Sequence, residues 1–476
     1  MARAGATTGD GPALLVLAAG EGSRMRSRRP KLLHPVCGRS ILRHVVRMGQ
    51  ELGAKRIVIV VGAAEAAMRE DLRDEPVEFV RQAEPLGTGH AALQARDALA
   101  NHAGPVVVMA GDHPLYRAAT LAALVTDLDA AEADLLVATA EFPETPEFGR
   151  IVRDARHGDD EDGQIREIVE HRDASDEQRQ IREVGLSLYV ARAEFLFETL
   201  ARVDDRNAQG EYYLTDIVRL GREAGHRVAT SKIADWSETL GVNSRVDLAE
   251  AERLMRRRIA ERWMLEGVTF EDPERSYVDA DVTIGPDTEI APGASLRGRT
   301  QIGSGCRIGE QVVIEQSTLG DDVLVKPLCH IEDSRLGNDC VVGPAAHLRP
   351  GSNLHDSVRI GNFVEIKNST IGSGTKADHL SYIGDTDVGV GCTIACGAIT
   401  VNYDGTIKSR TRIGDGAFIG CNANLIAPIE IEPRSYVAAG STITKKVPGG
   451  SLAVARARQK NIMGWFERRF GRDSED

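Results

Sequence analysis

Beyond Val282 an aliphatic residue returns at every sixth position. Ile284, Ile290, Leu296, Ile302, Ile308 and Ile314 set the period. After a one-residue slip it resumes at Leu319, Val325 and Ile331, and after another at Leu336, Val342, Leu348, Leu354, Ile360 and Ile366. A last block runs Ile413, Ile419, Leu425, Ile431, Val437 and Ile443. Gly often follows the aliphatic residue, and a small residue often stands four positions after it. A period of six held over roughly 150 residues predicts a β-helix of hexapeptide repeats. Each unit forms one flat side of a triangular coil, its aliphatic residue points inward, and stacked coils bury a continuous apolar column.

Residues 13–240 carry a different pattern. Ala13–Ala19, Arg56–Gly62, Pro105–Ala110 and Leu135–Ala140 are short apolar runs that read as strands buried on both faces. Helical stretches such as Ser40–Leu52 and Gly89–Leu99 lie between them. Strand and helix in alternation predict a Rossmann-like α/β domain with a mainly parallel sheet and ligands at the C-terminal strand ends. Residues 244–266 lack Gly and Pro, and Val246, Leu248, Leu254, Met255, Ile259 and Met264 give a helical stripe. The expected organisation is residues 1–245, a helical linker 246–266, and the β-helix 267–476.

Composition narrows the function. Lys plus Arg number 58 against 71 Asp plus Glu, a net charge of −13. That excess weighs against a nucleic-acid or anionic-membrane binder but leaves room for a local basic phosphate pocket. No apolar run reaches membrane-span length, and the opening MARAGATTGDGPA has no apolar signal stretch. The seven Cys show no paired CxxC spacing, which predicts a reduced, cytoplasmic protein without a disulfide framework. Cys306, Cys329, Cys340 and Cys392 fall in the small interior slot of the repeat, where thiols serve packing. Cys396 and Cys421 stand two positions after Ile394 and Ile419, outside that slot, and are expected to be reachable. The i, i+4 pair Cys392 and Cys396 lacks partner ligands for a metal.

The sharpest motif of the first half is LAAGEGSRMRSRRPKLLH, Leu17 to His34. A strand runs into Gly20-x-Gly22, whose backbone N–H groups can approach a phosphate closely, and Arg24 and Lys31 add fixed positive charge. This segment resembles the signature of sugar-1-phosphate nucleotidylyltransferases. Gln82–His90 (QAEPLGTGH), Ala110-Gly111-Asp112, Phe148-Gly149-Arg150, Ile168-Val169-Glu170, Gln209–Asp216 (QGEYYLTD) and Gly241-Val242-Asn243 narrow the likeness to one branch. That branch is the bifunctional N-acetylglucosamine-1-phosphate uridylyltransferase / glucosamine-1-phosphate N-acetyltransferase family, and the resemblance spans roughly residues 13–460.

The resemblance implies attack of a sugar-1-phosphate oxygen on the α-phosphate of UTP, releasing pyrophosphate. The nucleophile is already anionic, so positioning and charge neutralisation are expected to carry catalysis. It further implies Asp112 and Asn243 as Mg²⁺ ligands, and Arg24 and Lys31 on the phosphates. Leu17, Ala18, Ala19, Gly20, Gln82, Gly87, Thr88, Ala110 and Gly111 are implied around the nucleotide, Gly149 and Glu170 at the sugar. Gly185 departs from the family, which often has a sugar-contacting Asn there in a strand reading N-x-G.

In the second half, Lys376–Tyr382 (KADHLSY) and the loop Thr400–Thr411 are expected to break the repeat, and such breaks are where a β-helix carries chemistry. His379 is the candidate general base for an amine attacking a thioester. The resemblance places the sugar phosphate on Arg349, Lys367, Tyr382 and Thr393. It places acetyl-CoA on Cys396, Asn402, Tyr403, Cys421, Ala439 and Arg456, in a left-handed β-helix that assembles as a homotrimer. Thr393 replaces the family's Asn, Cys396 its Ala, Cys421 its Ser, and Asp378 its Gly. A negative charge beside His379 is expected to repel a phosphate or raise the imidazole pKa. Small-molecule substrates follow: UTP and acetyl-CoA with sugar phosphates, giving UDP-N-acetylglucosamine. An alternative is a nucleotidylyltransferase whose β-helix serves only oligomerisation and regulation, which would not need His379, Lys367, Arg349, Tyr382 and Asn402. A non-catalytic interaction protein would not need Arg24, Lys31, Asp112 and Asn243.

Overall fold

The computed structural model describes residues 11–20, 22–142, 147–154 and 163–471. The chain divides into two compact units, 1–255 and 256–476.

The first unit is built on one sheet. Its strands are β1 (Ala13–Ala18), β2 (Arg56–Val61), β3 (Glu78–Arg81), β4 (Pro105–Ala110), β5 (Leu135–Glu141), β6 (Arg150–Arg153), β7 (Ile165–Val169), β8 (Glu183–Arg192) and β9 (Val228–Lys232). Their spatial order is β9-β5-β8-β4-β1-β2-β3, with β6 and β7 a hairpin joined to β8. Leu14, Leu15, Val16, Val58, Ile59, Val60, Val107 and Val108 are all fully buried, as helix-covered parallel strands require. β8, which the apolar pattern did not single out, runs antiparallel to β4 and β5. Its register shifts between Gly185 and Tyr189, and Ser187 at the bulge has φ 51°. Ser40 caps the helix Ile41–Glu51 by accepting from Arg43 N at 3.0 Å. The second predicted helix is shorter than expected. It spans Thr88–Gln94, and isolated turns carry the chain on to Leu99.

The helix Arg245–Leu265 forms where periodicity placed it, but its buried stripe differs. Val246 is 78% exposed, whereas Ala251, Met255, Ile259 and Trp263 are buried at i+4 steps. The stripe therefore begins one turn later than the first aliphatic residue.

The second unit is a left-handed parallel β-helix. Ile290 pairs with Ile308 and Ile314 with Ile331, eighteen and seventeen residues on, which is three six-residue sides per coil. Every repeat aliphatic named above is buried. The column continues through Ile371, Ala377, Ile383, Val388, Ile394 and Thr400. The segment Lys376–Tyr382 therefore does not interrupt the interior, contrary to expectation. What changes is the corner: strands Arg359–Lys367 and Lys376–Gly384 keep pairing through it, turning at Phe363 (φ 57°) and Leu380 (φ 23°). The loop after Val401 does leave the coil and folds back through a bridge between Tyr403 and Lys408.

Candidate active sites

In the first unit the ends of β1 and β4 open onto a cavity of about 350 Å³. Leu17, Ala18, Ala19, Gly20, Lys31, Gln82, Gly87, Thr88, Ala110, Asp112 and Glu170 line it. Two glycines have no alternative there. A Cβ on Gly22 (φ 65°) would strike Lys31 at 2.5 Å, and one on Gly87 (φ 115°) would meet the Tyr212 carbonyl at 2.6 Å. Gln82 is buried and donates to the Gly87 carbonyl at 3.2 Å, fixing the loop that leads into the Thr88 helix.

Lys31 Nζ lies 2.5 Å from Asp112 Oδ2 and 3.2 Å from Asn243 Oδ1, and Arg24 donates to the same Asn243 oxygen at 2.9 Å. Two oxygens from distant segments thus converge on one cation. Burial opposes ionisation of Asp112, yet His113 and the Lys31 ammonium hold its pKa below the usual carboxylate value. Burial lowers the His113 pKa, against the opposing pull of the Asp112 carboxylate. Its Nδ1 faces the Thr239 carbonyl at 3.0 Å, and its Nε2 lies 3.5 Å from Asp112 Oδ1. Asp112 Oδ1 is buried without a hydrogen bond. An orphaned carboxylate oxygen beside an amide oxygen fits Mg²⁺, which takes few protein ligands and completes its shell with phosphate and water. Among the described residues no trio of His, Cys, Asp or Glu forms a metal cage.

Glu170 accepts from Thr215 Oγ1 at 3.2 Å, and burial raises its pKa. Gly111, Gly149 and Gly185 do not line the cavity, and Arg24 and Asn243 join it only through Lys31. Gly111 N bonds the Leu17 carbonyl at 2.9 Å, and Gly185 N bonds the Gly149 carbonyl at 2.9 Å, so these positions shape the wall. Ser187 and Tyr189 line the cavity but were not anticipated. The bulge in β8 aims them there, and the N-x-G position was its one trace in the sequence.

In the second unit, paired long strands set Asn362 beside His379, with His379 Nδ1 3.4 Å from Asn362 Oδ1. His379 is exposed on the outside of the coil. Asp378 turns instead to Arg359, 3.3 Å away, so the carboxylate expected to disturb His379 is paired elsewhere. Arg349 holds Glu365 at 2.7 Å. Asn402 is buried, donates to Asp385, and lies 3.4 Å from the Tyr382 hydroxyl. Lys367 faces a residue the sequence reading left out: Lys408, from the excursion loop, whose hydrogen bond and charge lower the Lys367 pKa. Thr393 and Cys396 are half-buried; Tyr403, Cys421, Ala439 and Arg456 are exposed.

Residues 14–182 match the MobA-like NTP transferase domain, 278–359 the GMPPB C-terminal domain, and 410–445 the bacterial transferase hexapeptide (six repeats). The bifunctional protein GlmU of Halalkalibacterium halodurans is 47% identical over 94% of this chain and 96% of its own. That of Geobacillus sp. WCH70 is 46% identical, covering 95% and 97%, and that of Listeria monocytogenes serotype 4b is 44% identical, with the same coverage. The chain belongs to the GlmU family. As a GlmU-family protein it is a bifunctional enzyme of UDP-N-acetylglucosamine synthesis, joining uridylyltransferase and N-acetyltransferase activities.

Among the departures from the GlmU pattern, Gly185 gives a direct test. A Cβ added there would lie 3.4 to 3.6 Å from the buried Ile168 and Ile151 side chains, an ordinary contact for the Cβ itself. One recovered sugar hydrogen bond, about 0.5–1.5 kcal/mol, should lower KM for N-acetylglucosamine-1-phosphate about two- to tenfold. Gly185→Asn should leave KM for UTP unchanged; weakened sugar affinity in steady-state assays would show that the pocket is solved another way.

Proposed function

We propose that each unit carries one of the two reactions. In the first, Arg24 and Lys31 neutralise the triphosphate of UTP while the β1 turn and Gln82–Thr88 hold the nucleotide. Glu170, with its neighbour Thr215, takes the sugar hydroxyls. Asp112 and Asn243 would hold Mg²⁺, which when bound supplies further charge neutralisation on phosphate oxygens. Lys31 is the residue that must exchange partners when phosphate binds, because its ammonium rests on Asp112. The sugar phosphate needs no general base, so these side chains orient two anions and damp their repulsion.

In the second unit His379 accepts the proton of the glucosamine-1-phosphate amine as nitrogen attacks the thioester, and coenzyme A leaves. The observation that carries this reading is the basic cluster of Arg349, Lys367 and Lys408. Arg349 stands one coil before Lys367, and the positive charge of Lys408 lowers the Lys367 pKa, so three basic side chains gather where a phosphate dianion would bind. Tyr382, Thr393 and Asn402 supply neutral hydrogen bonds; Cys396, Tyr403, Cys421, Ala439 and Arg456 face acetyl-CoA. An assay of thiol released from acetyl-CoA, with and without glucosamine-1-phosphate, tests it. Release that ignores the sugar phosphate would favour the platform alternative.

The same face supports the trimer. Leu328, Phe363 and Leu380, each 58–61% exposed, share one coil edge beside His379, an apolar row better suited to a partner than to water. Light scattering should give three times the 51.4 kDa chain mass. A stable, active monomer would overturn it. No helix among the described residues is long and apolar enough to cross a membrane, and the cysteines are free. The substrates UTP and acetyl-CoA support a cytoplasmic site of action.

A further inference from the structure

The coil register aligns side chains that the sequence keeps apart. Lys376 pairs with Thr393 and Tyr382 with Ile399, so His379 stands over Cys396. Ile394 pairs with Ile419, Asn422 N bonds the Cys396 carbonyl at 2.8 Å, and Gly440 N bonds the Cys421 carbonyl at 2.8 Å. One vertical edge therefore reads Asn362, His379, Cys396, Cys421, Ala439. Cys396 and Cys421 occupy equivalent corners of neighbouring coils, where backbone spacing is about 4.8 Å. That separation falls within the Cα range that a disulfide spans. The residue following each thiol has positive φ, 76° at Gly397 and 52° at Asn422, so the two corners turn alike and present their cysteines to the same side.

The thiols differ from the rest of the set. Cys306, Cys329, Cys340 and Cys392 are buried, and burial raises their pKa values, that of Cys340 to about 11. Cys37 is buried too. Cys421 is exposed and Cys396 half-buried, so an oxidant in solution reaches this pair and not the buried thiols.

We propose that Cys396 and Cys421 form a two-thiol oxidation site that peroxides convert to a reversible disulfide across neighbouring coils. The Cys421 thiolate attacks one peroxide oxygen, the O–O bond breaks, one water leaves, and a sulfenic acid remains. The Cys396 thiolate then attacks that sulfur, the S–S bond forms, and a second water leaves. Two thiols and one hydrogen peroxide become one disulfide and two waters, and a dithiol reductant returns both protons and electrons. Parallel Cβ directions on stacked corners strain such a bridge, which favours easy reduction. Its effect on acetyl transfer rests on the placement of acetyl-CoA proposed above, because the bridge would fix the edge against which the thioester lies.

The test treats the full-length protein with hydrogen peroxide and maps thiols by alkylation and peptide mass. We expect a 396–421 cross-linked peptide, a mass lower by two hydrogens, and both thiols recovered with dithiothreitol. Acetyl transfer should fall at least tenfold and return on reduction, with uridylyl transfer unmoved, and excess coenzyme A should slow oxidation. Cys396→Ala and Cys421→Ser should each lack the cross-link and show no reductant-reversible loss, each compared with its own rate before peroxide. Peroxide-treated protein in which both thiols still alkylate, or in which either pairs with another cysteine, overturns the proposal. A 396–421 bridge that leaves acetyl transfer unchanged upholds the oxidation site and overturns the coenzyme placement instead.

Discussion

His379→Ala should reduce acetyl transfer by about 10²–10⁴, the usual contribution of a positioned general base, and leave uridylyl transfer near normal. The side chain lies outside the coil and approaches Asn362 at 3.4 Å. Its removal therefore opens no cavity. The interior beneath, Ala377 and Ile383, is untouched. Circular dichroism and the thermal midpoint should match the parent, so that the rate loss reads chemistry and not folding. A folded variant that retains the parental rate would remove His379 from the mechanism. One that loses both activities would sink the assignment of one reaction to each unit.

Asp112→Asn should do the reverse, lowering uridylyl transfer by about 10²–10³, as loss of a preorganised charge-stabilising group does. The substitution keeps the shape but removes the charge that holds Lys31 and the anionic oxygen available to a cation. Stability should carry a matching pH signature. The Asp112 pKa is held below its usual value, so its ionised form adds stability above the unfolded pKa. That contribution is lost as pH falls through the folded value. The parent should thus unfold at a higher temperature than Asp112→Asn at pH 7, with the gap closing in acid. A constant gap across pH would mean that the carboxylate contributes packing alone.

The β-helix was legible because its physics repeats. Ile290, Ile308 and Leu348 obey one rule, and a rule kept through many coils outweighs local exceptions. The parallel strands were legible for a related reason: burial on both faces leaves unbroken runs such as Arg56–Val61. β8 was not, because its apolar residues mix with Glu183, Gly185 and Ser187, and its antiparallel course is set by neighbours far along the chain. In the sites, residues inside compact motifs, Gly87 and Thr88 among them, fell on the cavity. Lys408 escaped because a lysine in a polar loop has no signature until the fold sets it beside Lys367. Asp378 was misjudged for the converse reason: sequence adjacency to His379 suggested a repulsion that Arg359, nineteen positions earlier, takes up.

The stacking order of the coils has a consequence for wear. A solenoid coil is supported only by the coils on either side, so melting begins at an end and travels inward. The last stacked strands, Tyr436–Val437, Thr442–Ile443 and Leu452–Ala453, lie beside Ala439 and lead to Arg456. Arg349 and Lys367 are several turns further in. On the coenzyme placement proposed above, fraying of these last coils would therefore strip Ala439 and Arg456 from acetyl-CoA first, while Arg349 and Lys367 stayed in place. An ageing preparation would drift towards poorer acetyl-CoA saturation long before it lost its acceptor or its shape.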